Sequence, residues 1–561
     1  MRKISFMSKT FLSFLFAAFV SMFSLKAQQW PGYTLYATQN GTTSILCDTN
    51  GTTWKTWTFA ATAKTGYSTY LMPGGFLWRA VSRSGNSFTG GPICGEVQKV
   101  DYSGTVVWDF VYSTTNYCTH HDICPMPNGN VLLISYELKT AAEATTAGST
   151  QAIIMWPDKI VEVQPTGATT GTVVWEWHVW DHLVQNVNSA GANYQSSIVN
   201  HPELLNINYK TTKDWMHMNG VDYNPILDQV IFSSHNLNEW YVVDHSTTTA
   251  EAATHTGGRC GKGGDFLYRW GNPAAYSATG TAVLNVTHDA HWIPEGSPNA
   301  GRMVGFNNKG VSSSQSSIDQ INPPISGYTY TIGTPATYDQ RLACNGYSSN
   351  MGNSQQLPNG NMLVCVATAG TIYETDPAGT TIWTKSITGS VPQAFRYDTC
   401  YINHPAPVTP TITVNGSVLQ ASAASTYQWY LNAVQIPGAT SQNYTPLQSG
   451  YYLVRITDQF GCVYMYSKDV NFTVASGLAE NADLSGLSVF PNPASGIISI
   501  ANTSLLGTDF RVQVLDVMGN VLVTEKNVSA LDLSGFANGV YLIYFATDNG
   551  IRADRKVTLI K

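Results

Sequence analysis

Two stretches of the chain carry a histidine beside an aspartate in the same setting, THHDICPMPNG at 119–129 and THDAHWIPEG at 287–296. In each, the pair (His121-Asp122, His288-Asp289) stands six residues ahead of a proline, and a turn glycine follows. Imidazole changes charge closest to neutral pH, so a histidine held in place serves as nucleophile, as general acid and base, or as metal ligand. Equivalent histidines in two copies of one unit imply units arranged about a shared central site. The metal reading is the weakest. His121, Asp122, His288, Asp289 and His291 have ligand-type side chains, but their spacing matches no short-range metal motif, and no metal or cofactor is expected. Asp122 and Asp289 are read as residues that orient neighbours or close turns.

The units that must position these histidines show in two recurring turns. One is an aspartate, a glycine turn and a tryptophan-bearing strand: CDTNGTTW (Asp48, Gly51, Trp54), VDYSGTVVW (Asp101, Gly104, Trp108) and TDPAGTTIW (Asp376, Gly379, Trp383), with looser copies ending at Trp175 and Trp270. The other is a proline-glycine turn: MPGGFL, MPNGNVL, IPEG and LPNGNML, with a degenerate copy around Pro225. Short strands joined by alternating turns in a repeated period describe a β-propeller, whose blades bury their faces only when the ring closes. The intervals run from roughly 50 to 100 residues, longer than the usual blade, so several blades carry insertions. Six blades are expected over residues 28–405, with the repeat tryptophans in their cores.

Composition agrees with an all-β chain. Of 561 residues only 12% are charged, Gly and Tyr are abundant, and no long amphipathic helix stands out. A net charge of −7 without a basic run argues against nucleic acid as a partner. The start, MRKISFMSKTFLSFLFAAFVSMFSLKA, has the basic, apolar and small-residue regions of a secretory signal peptide over 1–27. No other segment is long and apolar enough to span a bilayer. Nine cysteines fit export but form no recognisable framework; at least one free thiol is expected.

Two smaller β modules follow. Residues 409–475, with Trp429 on an early strand and Tyr451-Tyr452 on a later one, resemble an immunoglobulin-like sandwich acting as a spacer. Residues 483–561, with LSVFPNPASG, VQVLDVMGNVL, LDLSGFANGVYLIYF and a basic end, resemble the C-terminal sorting domain of the type IX secretion system of Bacteroidetes. That resemblance implies the type IX machinery as a partner and release at, or attachment to, the cell surface.

The propeller region resembles the arylsulfotransferases through an ordered set of motifs: HHDICPMPNGNVLL, WEWHVWDHL, NHPELLNINY, DWMHMNGVDYNPILDQVIFSSHNLNEW, GGDFLYRWGNPAAY and THDAHWIPEG. The resemblance implies nucleotide-independent transfer of a sulfuryl group from a phenolic sulfate ester to a phenolic acceptor. It also implies His217 and Asn219 of DWMHMN as contacts for the sulfuryl oxygens, His121 as a sulfate-binding or acid-base histidine, and His288 as the transiently sulfated nucleophile. His291 is the rival nucleophile. A neutral imidazole nitrogen is a competent nucleophile, and a sulfo-histidine would split the transfer into two half-reactions. The chain departs from the family at SSHN, where His235 stands in place of a sulfate-binding arginine; Arg269 or Arg259 are candidates to supply the charge. His120, His178, His182, His201, His245 and His404 are read as packing or surface residues. Two other classes compete: a non-catalytic surface propeller that binds a glycan or protein partner, and a quinone-dependent propeller dehydrogenase.

Overall fold

A computed structural model describes residues 28–461, 463–474, 484, 486–517, 519–547 and 552–561; the signal-peptide segment and Cys462 lie outside them. Six four-stranded antiparallel sheets make the propeller. Blade 2 is Thr65–Met72, Phe76–Ser82, Gly95–Val100 and Val106–Val111; blade 3 is Tyr117–Pro125, Val131–Glu137, Asp158–Pro165 and Gly171–His178. Blade 4 is Met218–Asn224, Gln229–Ser234, Glu239–Asp244 and Tyr268–Trp270. Blade 5 is Thr287–Trp292, Met303–Ser312, Gln315–Ile321 and Gln340–Ala343; blade 6 is Asn353–Gln356, Met362–Val366, Thr371–Thr375 and Thr381–Ser386. Blade 1 closes the ring: Tyr33–Ala37, Thr43–Cys47 and Thr53–Thr58 receive their innermost strand, Ala394–Tyr397, from the far end of the propeller.

The two repeated turns have distinct jobs. The proline-glycine turns join first and second strands, as at 72–76, 125–131 and 356–362, and the aspartate turns join third and fourth. In the latter the carboxylate mimics a backbone acceptor: Asp101 Oδ1 accepts from Gly104 N and Thr105 N, and Asp376 Oδ1 from Ala378 N and Thr380 N. Gly104 and Gly379 have φ of 109° and 85°, which is why glycine recurs there. The tryptophans follow as expected at 108, 175 and 270, which are at most 4% exposed, and Trp383 is half-buried. Trp54 is a correction. It is 57% exposed, and Trp57 fills that core instead. The same bulge falls here as in blades 2, 3 and 6, but Trp54 stands three residues after its glycine where Trp108 and Trp383 stand four after theirs, so Trp54 occupies the bulge and Lys55 the paired position.

The innermost strands are stapled to one another by side chains, always toward the next blade. Tyr70 Oη donates to Asp122 Oδ1 at 2.8 Å; Val221 N donates to Asp122 Oδ2 at 3.2 Å. Trp292 N donates to Asp222 Oδ2 at 3.0 Å, Ser354 N to Asp289 Oδ2 at 3.3 Å, and Ala394 N to Asn353 Oδ1 at 2.8 Å. Phe395 stacks on Tyr70 at 5.1 Å and completes the circle. Buried amides left without partners are costly, so these carboxylates satisfy the channel wall; Asp122 and Asp289 orient their neighbours as the sequence suggested.

Two sandwiches follow. The first faces Ile412–Asn415, Val418–Ala421 and Asn443–Tyr444 against a sheet built on Thr426–Leu431 and Gly450–Thr457, over a core of Leu419, Trp429, Tyr452, Val454 and Phe472. It meets the propeller at Glu295, which accepts from Tyr430 Oη, Tyr466 Oη and Arg455 Nη1 at 2.7–2.8 Å. The second pairs a three-stranded and a four-stranded sheet between 488 and 559 around Ile498, Val512, Ile543, Phe545 and Val557. Cys400 is disulfide-bonded; the other seven described cysteines are free thiols. No described helix is long and apolar enough to cross a membrane.

Candidate active site

Each histidine-bearing inner strand breaks its ladder where the motif falls. The register shifts between Thr119 and Ile123, between Met218 and Gly220, and between His288 and His291. His121, His217 and Asp289 have φ of 50°, 52° and 55°, a left-handed conformation that is costly for non-glycine residues and clusters at functional sites. The bulges turn side chains inward toward the starts of the strands. There His121 of blade 3, His217 and His235 of blade 4 and His288 of blade 5 form a continuous row, with ring centroids 4.7, 4.9 and 5.6 Å apart. Tyr67 of blade 2 joins the row 5.2 Å from His121.

Hydrogen bonds fix which nitrogen of each ring is reactive. His217 Nδ1 donates to Asp214 Oδ2 at 2.6 Å, leaving Nε2 without a hydrogen-bond partner among the described residues. His120 Nε2 donates to Asp158 Oδ1 at 2.7 Å, and its Nδ1 lies 2.8 Å from His121 Nδ1, so a chain of aspartate and two imidazoles ends at His121 Nε2. His120, read as a packing residue, is thus a link in the site. His235 Nδ1 donates to Asn236 Oδ1, whose amide is oriented by its donation to Asp214 O. His288 Nδ1 donates to Asn308 Oδ1 at 2.7 Å; Asn308 Nδ2 donates to Ser348 O and Met351 O, which orients it. His288 Nε2 accepts from Met351 N at 3.1 Å, so an attack from this nitrogen must displace that amide.

Three rings of the row are shifted toward the neutral form. Burial, with the neighbouring imidazoles, pushes His121 and His288 well below the ordinary histidine range, and burial and His217 bring His235 down to about 4. Lys309, next to Asn308, adds to the lowering of His235. His217 and His235 are the partly exposed rings of the row, the His217 side chain being 15% exposed.

The remaining sequence candidates are placed elsewhere. Asn219 is fully buried, its Nδ2 donating to Thr287 O and its Oδ1 accepting from Ser233 Oγ; it braces the strand that carries His288. Arg269 lies inside blade 4, bonded through Nε and Nη2 to Glu239 and through Nη1 to Leu204 O. Arg259 pairs with Asp469 of the first sandwich at 2.7 Å. His291 points away from His288, because Asp289 and Ala290 bulge out between them. It lines a separate cavity of about 710 Å³ at the other end of the same strands, with Tyr70, Asp222, Tyr223 and Tyr466. Burial opposes its charge, but Asp289 and Asp222 outweigh it and hold His291 near 9. Two site residues escaped the motif reading. Tyr67 Oη is a buried hydroxyl without a hydrogen-bond partner among the described residues. A Cβ on Gly91 would lie 2.6 Å from His217 Nε2 and 2.7 Å from His121 Cε1, so only glycine lets the 84–92 loop approach the imidazoles. The GG doublet at 90–91 was its only trace.

Fold and site together define a closed six-bladed propeller with a row of four imidazoles at one mouth of the central channel. The family model for Arylsulfotransferase (ASST) matches residues 87–401, and the chain belongs to that family. Residues 488–560 match the secretion system C-terminal sorting domain, which directs the chain to the cell surface by the type IX route. No curated protein matches the sequence. Solved structures similar to it include a protein of unknown function from Bacteroides caccae, at 10% identity and TM-score 0.37, covering 65% of this chain and 98% of that one. A periplasmic gluconolactonase of Pseudomonas aeruginosa aligns at 9% identity and TM-score 0.26, covering 95% and 100%.

Proposed function

We propose that the propeller transfers a sulfuryl group from an aryl sulfate to a phenol, without a nucleotide, through a sulfo-histidine. The observation that carries this reading is the row of four imidazoles from three consecutive blades, with His121, His235 and His288 shifted toward the neutral form by burial, in a chain of the arylsulfotransferase family. A lone pair on Nε2 attacks sulfur, the S–O bond to the aryl group breaks, and the departing phenolate takes a proton from a neighbouring protonated histidine, which is left as the base for the second half-reaction. In the second half-reaction the acceptor loses its proton to a neighbouring imidazole, its oxygen attacks sulfur, and the S–N bond breaks.

His288 is the proposed nucleophile: Asn308 fixes its tautomer so that Nε2 is the reactive nitrogen, and it shares the register of His121. A second reading assigns the role to His217, whose Nε2 has no hydrogen bond to displace and whose Nδ1–H meets the Asp214 carboxylate, the arrangement that stabilises an imidazolium in a catalytic triad. Acid denaturation of the enzyme during turnover, followed by peptide mass mapping, places the SO₃ adduct on one or the other. The sandwich at 409–475 is read as an immunoglobulin-like spacer between enzyme and sorting domain.

Incubation with p-nitrophenyl sulfate tests the activity. Nitrophenolate release that depends on added phenol, with phenyl sulfate formed, is expected. Release into water alone would make it a sulfatase, and no release with any donor would favour a propeller that only binds a glycan or protein.

His235 predicts weak donor binding, because a neutral imidazole replaces a permanent bidentate cation. His235→Arg should lower the KM for aryl sulfate about tenfold, a gain within the range of one charge-assisted contact. An unchanged KM would show that the sulfuryl oxygens are bound elsewhere.

A further inference from the structure

Away from the channel, three side chains from two blades converge on one point. His182 follows the outer strand of blade 3; His255 and Asp265 lie in the excursion between Glu239–Asp244 and Tyr268–Trp270 of blade 4. One ligand atom from each lies within 4.8 Å of those of the other two. Asp265 Oδ1 is 2.8 Å from His182 Nδ1 and 2.7 Å from His255 Nδ1.

The other nitrogen of His182 decides what this point needs. Nε2 lies 2.8 Å from Ala252 O, and a carbonyl oxygen can only accept, so Nε2 carries the proton. Nδ1 of the same ring faces the Asp265 carboxylate, whose oxygens offer only lone pairs, so the 2.8 Å approach is bridged by a second proton or by a metal cation. A ring nitrogen donating to a backbone carbonyl while the opposite nitrogen faces a shared point is the outer-shell arrangement of metal-ligating histidines. Trp177 stacks on the His182 ring, centroids 5.6 Å apart with planes 1° from parallel, and Gly264 is so close that a Cβ there would lie 2.5 Å from Nε2. His182 is thus held rigidly and His255, 60% exposed, can close on it from the outside.

We propose that His182, His255 and Asp265 form a structural site for a zinc-class divalent ion, which fastens the glycine-rich stretch 257–264 of blade 4 onto blade 3. Two imidazoles and one carboxylate suit borderline first-row ions and not calcium or magnesium, which prefer all-oxygen shells. Tetrahedral bonds of about 2.0–2.1 Å set ligand atoms about 3.4 Å apart, so each nitrogen, now 2.7–2.8 Å from the Asp265 oxygen, moves away from it by roughly half an ångström on loading. The exposed side beside His255 leaves the fourth position to water. The ion replaces the protons that otherwise bridge the ligands, and its affinity falls with falling pH.

Chelator-treated full-length exported protein, titrated with Zn²⁺ against a chromophoric chelator, should take up one equivalent and melt at a higher temperature. His255→Ala changes an exposed side chain and leaves the fold in place; it should weaken binding at least tenfold and remove the thermal gain, and Asp265→Asn should do the same. Failure of the wild type to bind an equivalent would overturn the proposal. So would retention of full affinity by His255→Ala, and so would loss of the equivalent in His217→Ala with retention in His255→Ala, which would place the ion among the channel histidines. None of these readouts depends on sulfotransfer.

Discussion

His288→Asn should lower phenol-dependent sulfotransfer by about 10⁴-fold or more, the scale seen when a covalent nucleophile is removed from a site whose remaining groups still bind substrate. Asparagine keeps much of the local polarity: its amide can meet both the Met351 N–H and the Asn308 side chain, so the ring of inner strands stays intact. What disappears is an imidazole nitrogen able to form and release an N–S bond. The variant should therefore fold with an unchanged melting temperature, show no burst of nitrophenolate and carry no SO₃ adduct. A burst of normal size in His288→Asn, with the adduct on the peptide holding His217, would transfer the nucleophile to the Asp214-paired ring. Normal turnover with no adduct on any histidine would remove the covalent mechanism altogether.

Arg269→Met should unfold the propeller rather than alter its kinetics. The guanidinium is wholly buried against Glu239 and Tyr241, and its removal leaves the Glu239 carboxylate in the interior without its counter-charge. Breaking one side of such a pair costs about 3–5 kcal/mol, a large part of the stability of an ordinary domain. Replacing both partners with apolar residues of similar volume leaves no orphan charge, so Arg269→Met/Glu239→Met should recover most of the loss. Urea unfolding of the two variants separates this role from sulfate binding. If Arg269→Met kept wild-type stability and only raised KM, the arginine would belong to the substrate site.

These two residues show how far the sequence could be read. Both lie in the motifs that carry the family resemblance, YRWGNP for Arg269 and THDAHW for His288, and the motif alone does not tell a strut from a reactive group. The blades were legible because each turn states its own chemistry: aspartate and glycine at one hairpin, proline and glycine at the other. The shared setting of His121 and His288 was legible for the same reason. The bulges were not. Whether His288 or His291 faces the histidine row depends on two residues, Asp289 and Ala290, that leave the ladder, and on a left-handed φ at an aspartate, neither of which alternation along a strand reveals. Trp54 stands one residue nearer its turn glycine than Trp108 and Trp383 do, and that single position moves it out of the core that Trp57 fills. His120, Gly91 and the three ligands around Asp265 depend on loops meeting across blades, at sequence separations that no local pattern records.

The closing strand has a consequence for how the molecule comes to exist. Tyr33–Tyr36 can pair with Ala394–Tyr397 only after some 360 intervening residues are in place, and contacts so distant in the chain form late and slowly. Until then the first sheet presents a bare edge to the channel, and the staples through Asn353 and Phe395 have nothing to hold. Such an edge invites a strand from another copy, so during export the nascent chain is exposed to swapping and aggregation in a way the finished ring is not. An accessory factor that shields this edge would act on yield of the enzyme and leave its rate constants untouched.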